Sequence, residues 1–384
     1  MSQTLVMAGG GTGGHVFPLL AVADVLRALA PSLRLVFVGT ERGLERTLVP
    51  ERGYELETLQ VHPIRGGGFA GAANGVKSAA LAVFKARSLL GRLKPRAVFS
   101  VGGYAAGPVA LAAFTARIPL ALLEPNADIG LANRWVAPLV SRAYVGFPEA
   151  RRFFRESTVV ETGVPLRAGF TSLEPRPNDG TVRILVLGGS QGAKTLNESV
   201  PRALARLNGN VRVVHQCGRA HLPETEKLYA ELSMHDRAVV TPFIDDVPRA
   251  LADADLVIGR AGASAVSEIC LVGRPSVLVP YPFAGDHQRF NALSLEQRGA
   301  ARCVLAGEAT VERLERELVG LLESPERLRE MGERARALGK PHAAESIARD
   351  LLELAGLGVE VGKASRPGED AAGERGRLTY SEVV

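Results

Sequence analysis

Short runs of valine, leucine and isoleucine recur along the chain, separated by longer stretches in which apolar residues return at helical spacing. The runs at residues 4–8, 33–39, 97–101, 119–123 and 143–147 read as parallel strands buried on both faces. At Arg183 the pattern restarts with RILVLGGSQGAKTLNE, and further runs follow at 211–216, 238–241, 256–259 and 276–280. Both halves therefore open with a strand, a glycine turn and a helix. Strands alternating with helices make right-handed crossovers and a doubly wound sheet. Two such halves predict an α/β protein with two Rossmann-like domains facing a central cleft.

Proline, glycine and polar residues cluster between Thr162 and Thr181, which marks the boundary. Helices over 311–338 close the second half, and a last helix over about 342–355 follows the breaker Gly339-Lys340-Pro341. From Gly356 onward glycine and charge dominate, which predicts a disordered tail.

Composition narrows the classes. With 384 residues, 46% hydrophobic and 23% charged, the chain is long enough for more than one core and is neither fibrous nor disordered. Cys217, Cys270 and Cys303 stand far apart without CxxC spacing, so they read as reduced packing residues rather than a zinc site or a disulfide framework. The opening MSQTLVMAGGG has no basic segment and its apolar run breaks at glycines, which is unlike a signal peptide and predicts a cytosolic protein. The most apolar stretch, near 69–93, is interrupted by Lys77, Lys85 and Arg87 and falls short of a membrane span. A net charge of +5 admits an anionic partner: nucleic acid, an anionic membrane or a phosphorylated small molecule. No zinc-finger or RNA-recognition spacing appears, and the basic residues are not interleaved with aromatics, so nucleic acid ranks last.

The first glycine turn, AGGGTGGHVFP from Ala8 to Pro18, leads from a strand straight into an apolar helix. Glycines let backbone approach a ligand, and free amides at a helix start favour negative charge. Gly9, Gly11 and Gly14 satisfy GxGxxG, but the acidic residue expected after the second strand of a dinucleotide site is only poorly supplied by Glu41. His15 sits at the helix start, where partial positive charge disfavours its protonated form and keeps it available as a base. A histidine that merely caps or packs at the turn is the plain alternative. The second turn carries Gly188, Gly189, Ser190, Gln191 and Gly192, whose amides and hydroxyl suit a phosphate. Farther on, small residues from Ala261 to Ser264 start a helix that bears Glu268 in its second turn. That arrangement suits a nucleoside diphosphate, with amides on the phosphates and a carboxylate on a ribose diol. A solvated helix glutamate is the alternative for Glu268. The string Asp253-Ala254-Asp255 mimics a metal-binding DxD but reads better as a helix end.

Together these segments resemble the GT-B glycosyltransferases, and most closely the bacterial MurG family. GGTGGHVFP (Gly10 to Pro18), GGYAAGP (Gly102 to Pro108), GGSQGA (Gly188 to Ala193), FIDD (Phe243 to Asp246), RAGASAVSE (Arg260 to Glu268) and DHQRFNA (Asp286 to Ala292) follow in family order. The resemblance spans the chain from the first strand to about residue 355. It implies transfer of N-acetylglucosamine from its UDP donor to lipid I, an inverting reaction that makes lipid II for peptidoglycan. With that come cell wall biogenesis, cell shape and division, and a peripheral place on the cytoplasmic face of the inner membrane beside a cell-wall synthesis complex. No metal or other cofactor is implied. Another GT-B enzyme making a different glycolipid, or a UDP-sugar epimerase of the same fold, is the alternative.

By the same resemblance, residues 1–163 plus 341–356 form an acceptor and membrane domain, 164–340 the donor domain, and 357–384 the tail. Thr12, Gly13, Gly14, Asn126, Arg167, Ser190, Ile244, Gln288 and the run Ala263, Ser264, Ala265, Val266, Ser267 and Glu268 would line the donor site. Glu268 would take the ribose hydroxyls, Gln288 a sugar hydroxyl, Ile244 the uracil through its backbone, and Ser190 with Arg167 the diphosphate. His15, Tyr104, Glu124 and Asn126 would face the acceptor. Two departures stand out: the family's HEQN reads LEPN at Leu123 to Asn126, and its GNP reads Gly163-Val164-Pro165. With that histidine missing, His15 is the expected base and Glu124 the second choice.

A helical wheel over residues 76–94 gathers Ala79, Ala82, Val83, Ala86, Leu89, Leu90 and Leu93 on a core-facing arc. Lys77, Lys85 and Arg92 share the opposite arc with Leu81 and Phe84, a mixture suited to an anionic membrane, with Ile64 and Phe69 in the preceding loop. A solvated basic face with two stray apolar residues is the alternative.

Overall fold

The computed structural model describes residues 3–358, except for 42, 61–67, 104, 171–172, 174–178, 190, 208 and 284; for residues 68–79 it describes the helix backbone alone. The first half runs β1 (Thr4–Gly9), α1 (Gly13–Leu29), β2 (Arg34–Thr40), α2 (Glu45–Glu51), β3 (Glu55–Leu59), α3 (Gly68–Leu93), β4 (Ala97–Gly102), α4 (Ala106–Thr115), β5 (Leu120–Glu124), α5 (Leu131–Val136), β6 (Arg142–Val145) and β7 (Val159–Glu161). The second half runs β8 (Val182–Leu187), α6 (Lys194–Leu204), β9 (Val211–Gln216), α7 (Leu222–Glu231), β10 (Ala238–Thr241), α8 (Val247–Asp253), β11 (Leu256–Gly259), α9 (Ala263–Val272), β12 (Ser276–Leu278), α10 (His287–Gln297), β13 (Arg302–Cys303), α11 (Val311–Leu322), α12 (Pro325–Leu338) and α13 (Ala343–Leu354).

The strands form a seven-stranded sheet in the order β3-β2-β1-β4-β5-β6-β7 and a six-stranded one in the order β10-β9-β8-β11-β12-β13. All the pairings are parallel. The fold is therefore the expected pair of Rossmann-like domains. In each sheet the strand order reverses once, between β1 and β4 and between β8 and β11, and ligands of such sheets bind at that reversal. Both glycine turns leave from a strand at a reversal. The register between β1 and β4 slips between Ala8 and Gly9, so that Gly9 lies opposite Gly102 where the chain enters the site.

Each sheet is covered on both faces by apolar side chains. The continuous Val/Leu/Ile runs demand that covering, since a bare face would leave their whole area in water. The last helix, α13, lies in the first domain's core: Ile347, Leu351 and Leu352 pack with Leu5, Leu19 and Phe99. Full burial of each contributes at most about 1.5–3 kcal/mol, enough to hold this helix against the first domain. Tyr144 strengthens the attachment by donating to Asp350 at 2.6 Å. Gly356 and Leu357, expected in the tail, instead close α13: their amides donate to the Glu353 and Leu352 carbonyls at 2.9 and 2.8 Å, and Leu357 packs on the same core, while residues 359–384 lie outside the described residues.

Three strands went unread in the sequence. β3, β7 and β13 are short and stand at sheet edges, where Glu55, Glu57, Glu161 and Arg302 interrupt the apolar pattern. The helix with the mixed basic and apolar arc also begins earlier than expected, at Gly68, because its glycine- and alanine-rich start masked the helical period. Phe69 accordingly belongs to the helix and not to a preceding loop.

Candidate active site

In the first domain, the turn after β1 meets the turn after β4. Gly103 has φ +90°, and a Cβ there would lie 2.4 Å from the Gly10 carbonyl oxygen, so the two turns touch backbone to backbone. His15 is the third residue of α1, and its Nδ1 lies 3.3 Å from the Thr12 hydroxyl at the helix N-cap. Its ring closes over Gly102, with Cδ2 3.5 Å from where a Cβ would sit. Burial lowers the pKa of His15, opposed by the Gly10 carbonyl and the charge of Glu45, while His287 reaches it from the second domain and lowers it further. The sequence predicted the direction; burial, more than the helix terminus, is the main cause.

One of the amides that this turn could offer a ligand already holds an anion. Gly11 donates its amide to Glu45 Oε2 at 2.8 Å, and Thr40 donates its amide and its hydroxyl to Oε1 at 2.7 and 2.9 Å. Glu45 is 1% exposed, whereas Glu41 lies near the surface and accepts from Gln60 at 3.2 Å. A carboxylate thus does approach the turn, but it binds backbone instead of awaiting a ribose.

Glu124 ends β5, fully buried, and accepts four N–H groups. They come from Asn126 (its amide and its side chain, both 3.0 Å), Gly130 (3.0 Å) and Asn133 on α5 (2.9 Å). Burial raises its pKa, and these donors pull it back. Only the ionised carboxylate satisfies four donors at once. Asn126 is in turn tied across the cleft: Asn291 of α10 donates to its Oδ1 at 3.1 Å and to the Ala261 carbonyl at 3.0 Å, and accepts the Ala127 amide at 2.8 Å. Buried completely, Asn291 couples the loop after β5 to the segment leading into α9.

In the second domain, α9 starts after Gly262 with no side-chain cap and no acidic residue in its first turn. Its first amides are therefore unanswered donors. Ser264 stands among them with a buried hydroxyl that has no partner among the described residues. Burial raises Glu268 to about 7, against the pull of Arg167. The Oε1 of Gln288 accepts from the Ala261 and Tyr281 amides at 3.2 and 3.0 Å, which commits its oxygen and leaves donation from its amide nitrogen for a ligand. Ile244 and Val266 turn their side chains into the core, so only their backbone can serve. Ala263, Ala265 and Ser267 complete the first turns of α9, while Arg260 holds the Val279 and Pro280 carbonyls. Asp253 closes α8 and pairs with Arg249 at 2.8 Å, and Asp255 accepts the Arg183 amide, so the DxD string is structural. Ser190 and Tyr104 lie outside the described residues.

On α3, Ala82, Ala86, Leu89, Leu90 and Leu93 are buried while Leu81 and Phe84 are 55% and 72% exposed, as the wheel required. Lys85 is exposed beside them. Arg92 is tied to Glu57 at 2.8 Å, so its charge is partly answered within the chain. Ile64 and the side chains of Phe69, Lys77 and Ala79 lie outside the described residues. Unread in the sequence, Phe114 on α4 and Trp135 on α5 are 49% and 77% exposed, and α4 packs against both α3 and α5.

Sequence reasoning also missed Glu45, Asn133, Asn291 and His287 as site residues. His287 and Asn291 lie within the DHQRFNA segment, which was the available signal. Glu45 had none, because its bond to the first turn comes from Gly11, 34 positions away, and its nearer partners, Thr40 and two glycines, form no pattern that marks a carboxylate site.

The chain matches the glycosyltransferase family 28 N-terminal domain over residues 5–145 and the C-terminal domain over 183–348. It is 49% identical over 358 residues to a Sorangium cellulosum protein, covering 92% of this chain and 88% of that one. That protein is named UDP-N-acetylglucosamine--N-acetylmuramyl-(pentapeptide) pyrophosphoryl-undecaprenol N-acetylglucosamine transferase. Among solved structures, Acinetobacter baumannii MurG superposes with a TM-score of 0.76 at 34% identity, over 91% of this chain and 99% of that one. A putative UDP-N-acetylglucosamine 2-epimerase from Listeria monocytogenes shares the fold at 14% identity, with a TM-score of 0.67 over 92% and 96% of the two chains.

Proposed function

This chain belongs to the MurG branch of glycosyltransferase family 28, and from that membership we infer that it transfers N-acetylglucosamine from UDP-N-acetylglucosamine to lipid I. The products are lipid II and UDP. The observation that supports the placing of the chemistry is the bridge between the two domains beside their strand-order reversals, where Asn291 of the second domain donates to Asn126 of the first and accepts the Ala127 amide.

The donor's diphosphate lies on the open amides of α9, with the Ser264 hydroxyl and Arg167 around it, and Glu268 takes the ribose diol. His15 removes the proton from the acceptor hydroxyl. That oxygen forms its bond to the anomeric carbon from the face opposite UDP, the bond to the diphosphate oxygen breaks, and UDP leaves with the electron pair. The configuration inverts. Donors fixed before the reaction stabilise the departing charge without reorganising. Glu124 holds Asn126 in place and is not the base, because taking a proton would put an O–H against one of its four donors.

The decisive assay measures UDP release from UDP-N-acetylglucosamine with and without a lipid I analogue. Release that requires the analogue is the expected result; thermal stabilisation by NAD with none by UDP overturns the assignment.

The acceptor is lipid-linked, and the exposed face of α3, α4 and α5 is the surface we assign to an anionic membrane, on its cytoplasmic side. No described helix is long and apolar enough to cross a membrane, so binding there is interfacial. A basic residue near such a surface contributes about 1 kcal/mol, and reversing its sign costs about twice that. Phe84→Ser with Lys85→Glu is therefore expected to lower affinity for phosphatidylserine vesicles by at least about tenfold. Trp135 is the chain's single tryptophan, and its emission is expected to shift to the blue on vesicle addition. Unchanged affinity in the double variant removes this surface from the reading.

A further inference from the structure

We propose that Glu45 is a positioning residue for the transfer: a buried carboxylate that clamps the first glycine turn and holds a negative charge behind the imidazolium that His15 becomes. This rests on the reading of His15 as the base. The space for the carboxylate is built by three glycines. A Cβ on Gly10, Gly39 or Gly43 would come within 2.3, 2.4 or 1.9 Å of Glu45 atoms. Two of these glycines lie near Glu45 in sequence, but Gly10 belongs to the turn that carries Thr12 and His15. The Gly11 bond spans 34 positions and is the one that reaches that turn; the Thr40 bonds anchor the same carboxylate to the end of β2. Glu45 is thereby a strut between β2 and the loop on which the base stands.

Its charge acts in the same direction as its geometry. When the acceptor O–H bond breaks, the proton moves to a ring nitrogen of His15, and a cation appears in a buried place. Among the described residues, the titratable groups that reach the ring are Glu45, which favours that cation, and His287, which opposes it when charged. Burial opposes it as well. Glu45 is the one group of opposite sign among them, fixed before the reaction and 1% exposed, so little water screens it.

The test uses the full chain with Glu45→Gln and Glu45→Asp, and reads three quantities. They are the titration of the His15 ring by NMR (assigned against His15→Ala), kcat and the donor KM across pH, and Tm. Glutamine removes the charge and points an NH2 at an amide donor. His15 is expected to titrate lower by about half a pH unit or more, and kcat to fall by about tenfold or more with the donor KM within about twofold. Aspartate keeps the charge but is one methylene short, so kcat falls while the His15 titration moves less than in Glu45→Gln. If Glu45→Gln does not fold, Thr40→Val carries the test by removing one anchor, with a several-fold loss of kcat at constant donor KM expected. A His15 titration that is unchanged in Glu45→Gln, or a loss of kcat that merely tracks Tm, overturns the proposal. Failure of the base reading has a different signature: His15→Ala turns over fully, while the His15 titration still responds to Glu45.

Discussion

Replacing His15 with alanine is expected to lower kcat by about two to four orders of magnitude while leaving the donor Kd within about twofold. The separation of effects follows from the architecture. His15 stands on α1 of the first domain, and the groups proposed to bind the donor lie mainly on α9 and α10 of the second. Removing the imidazole therefore removes the proton acceptor and spares most of the donor contacts. The pH profile adds an independent check. Burial holds the His15 pKa below the ordinary 6.5, so the ring remains neutral, and able to take a proton, at pH values where a free histidine is mostly charged. Activity lost through protonation of His15 should thus appear as an acid limb below pH 6.5, and that limb should vanish in the residual activity of His15→Ala. Full turnover by the variant would assign the base elsewhere.

The second large effect is expected at Glu268. Burial raises its pKa to about 7, and ribose hydroxyls donate to the ionised form, so donor binding lowers that pKa and releases a proton. Affinity should be complete above about pH 7 and should fall as pH drops through it, by up to about tenfold per unit until the pKa of the bound form is reached. UDP-N-acetylglucosamine is the ligand to use in calorimetry, because its diphosphate, esterified at both ends, does not titrate in this range. Glu268→Gln removes two charge-assisted hydrogen bonds and is expected to weaken binding about 10- to 100-fold and to flatten the pH dependence. A variant that keeps both the affinity and the slope would show that the ribose is held by other groups.

These two effects differ in how far the sequence foretold them. Glu268 and the α9 amides follow from local features, a strand running into small residues and then a helix, and the structure keeps that arrangement. For His15 the direction of its pKa shift was readable from its place at a helix start, but the main cause, burial, was not. The ring is covered by Gly102 and approached by His287, residues that are distant in sequence.

The same contrast runs through the rest of the molecule. The central strands were legible because burial on both faces requires an unbroken apolar run, and a helical period survives on any helix with one face in the core. Edge strands such as β3 and β7 were not, since one side meets solvent and tolerates glutamate. Trp135 gave no signal, because exposure belongs to the fold and not to the residue type.

What the sequence by itself determined is the two-domain architecture, its two glycine turns and the small-residue start of the helix that carries Glu268. The tertiary structure decided how the first turn is held. Its Gly11 amide is spent on Glu45, which reaches it only after β1 and β2 pair and bring Thr40 alongside. It also decided that Glu124 is a hub for four donors and that Asn291 joins Asn126 to Ala261 across the cleft. Hydrogen bonds between distant positions leave no period in a sequence, and a buried carboxylate takes its role from whichever donors the fold brings to it.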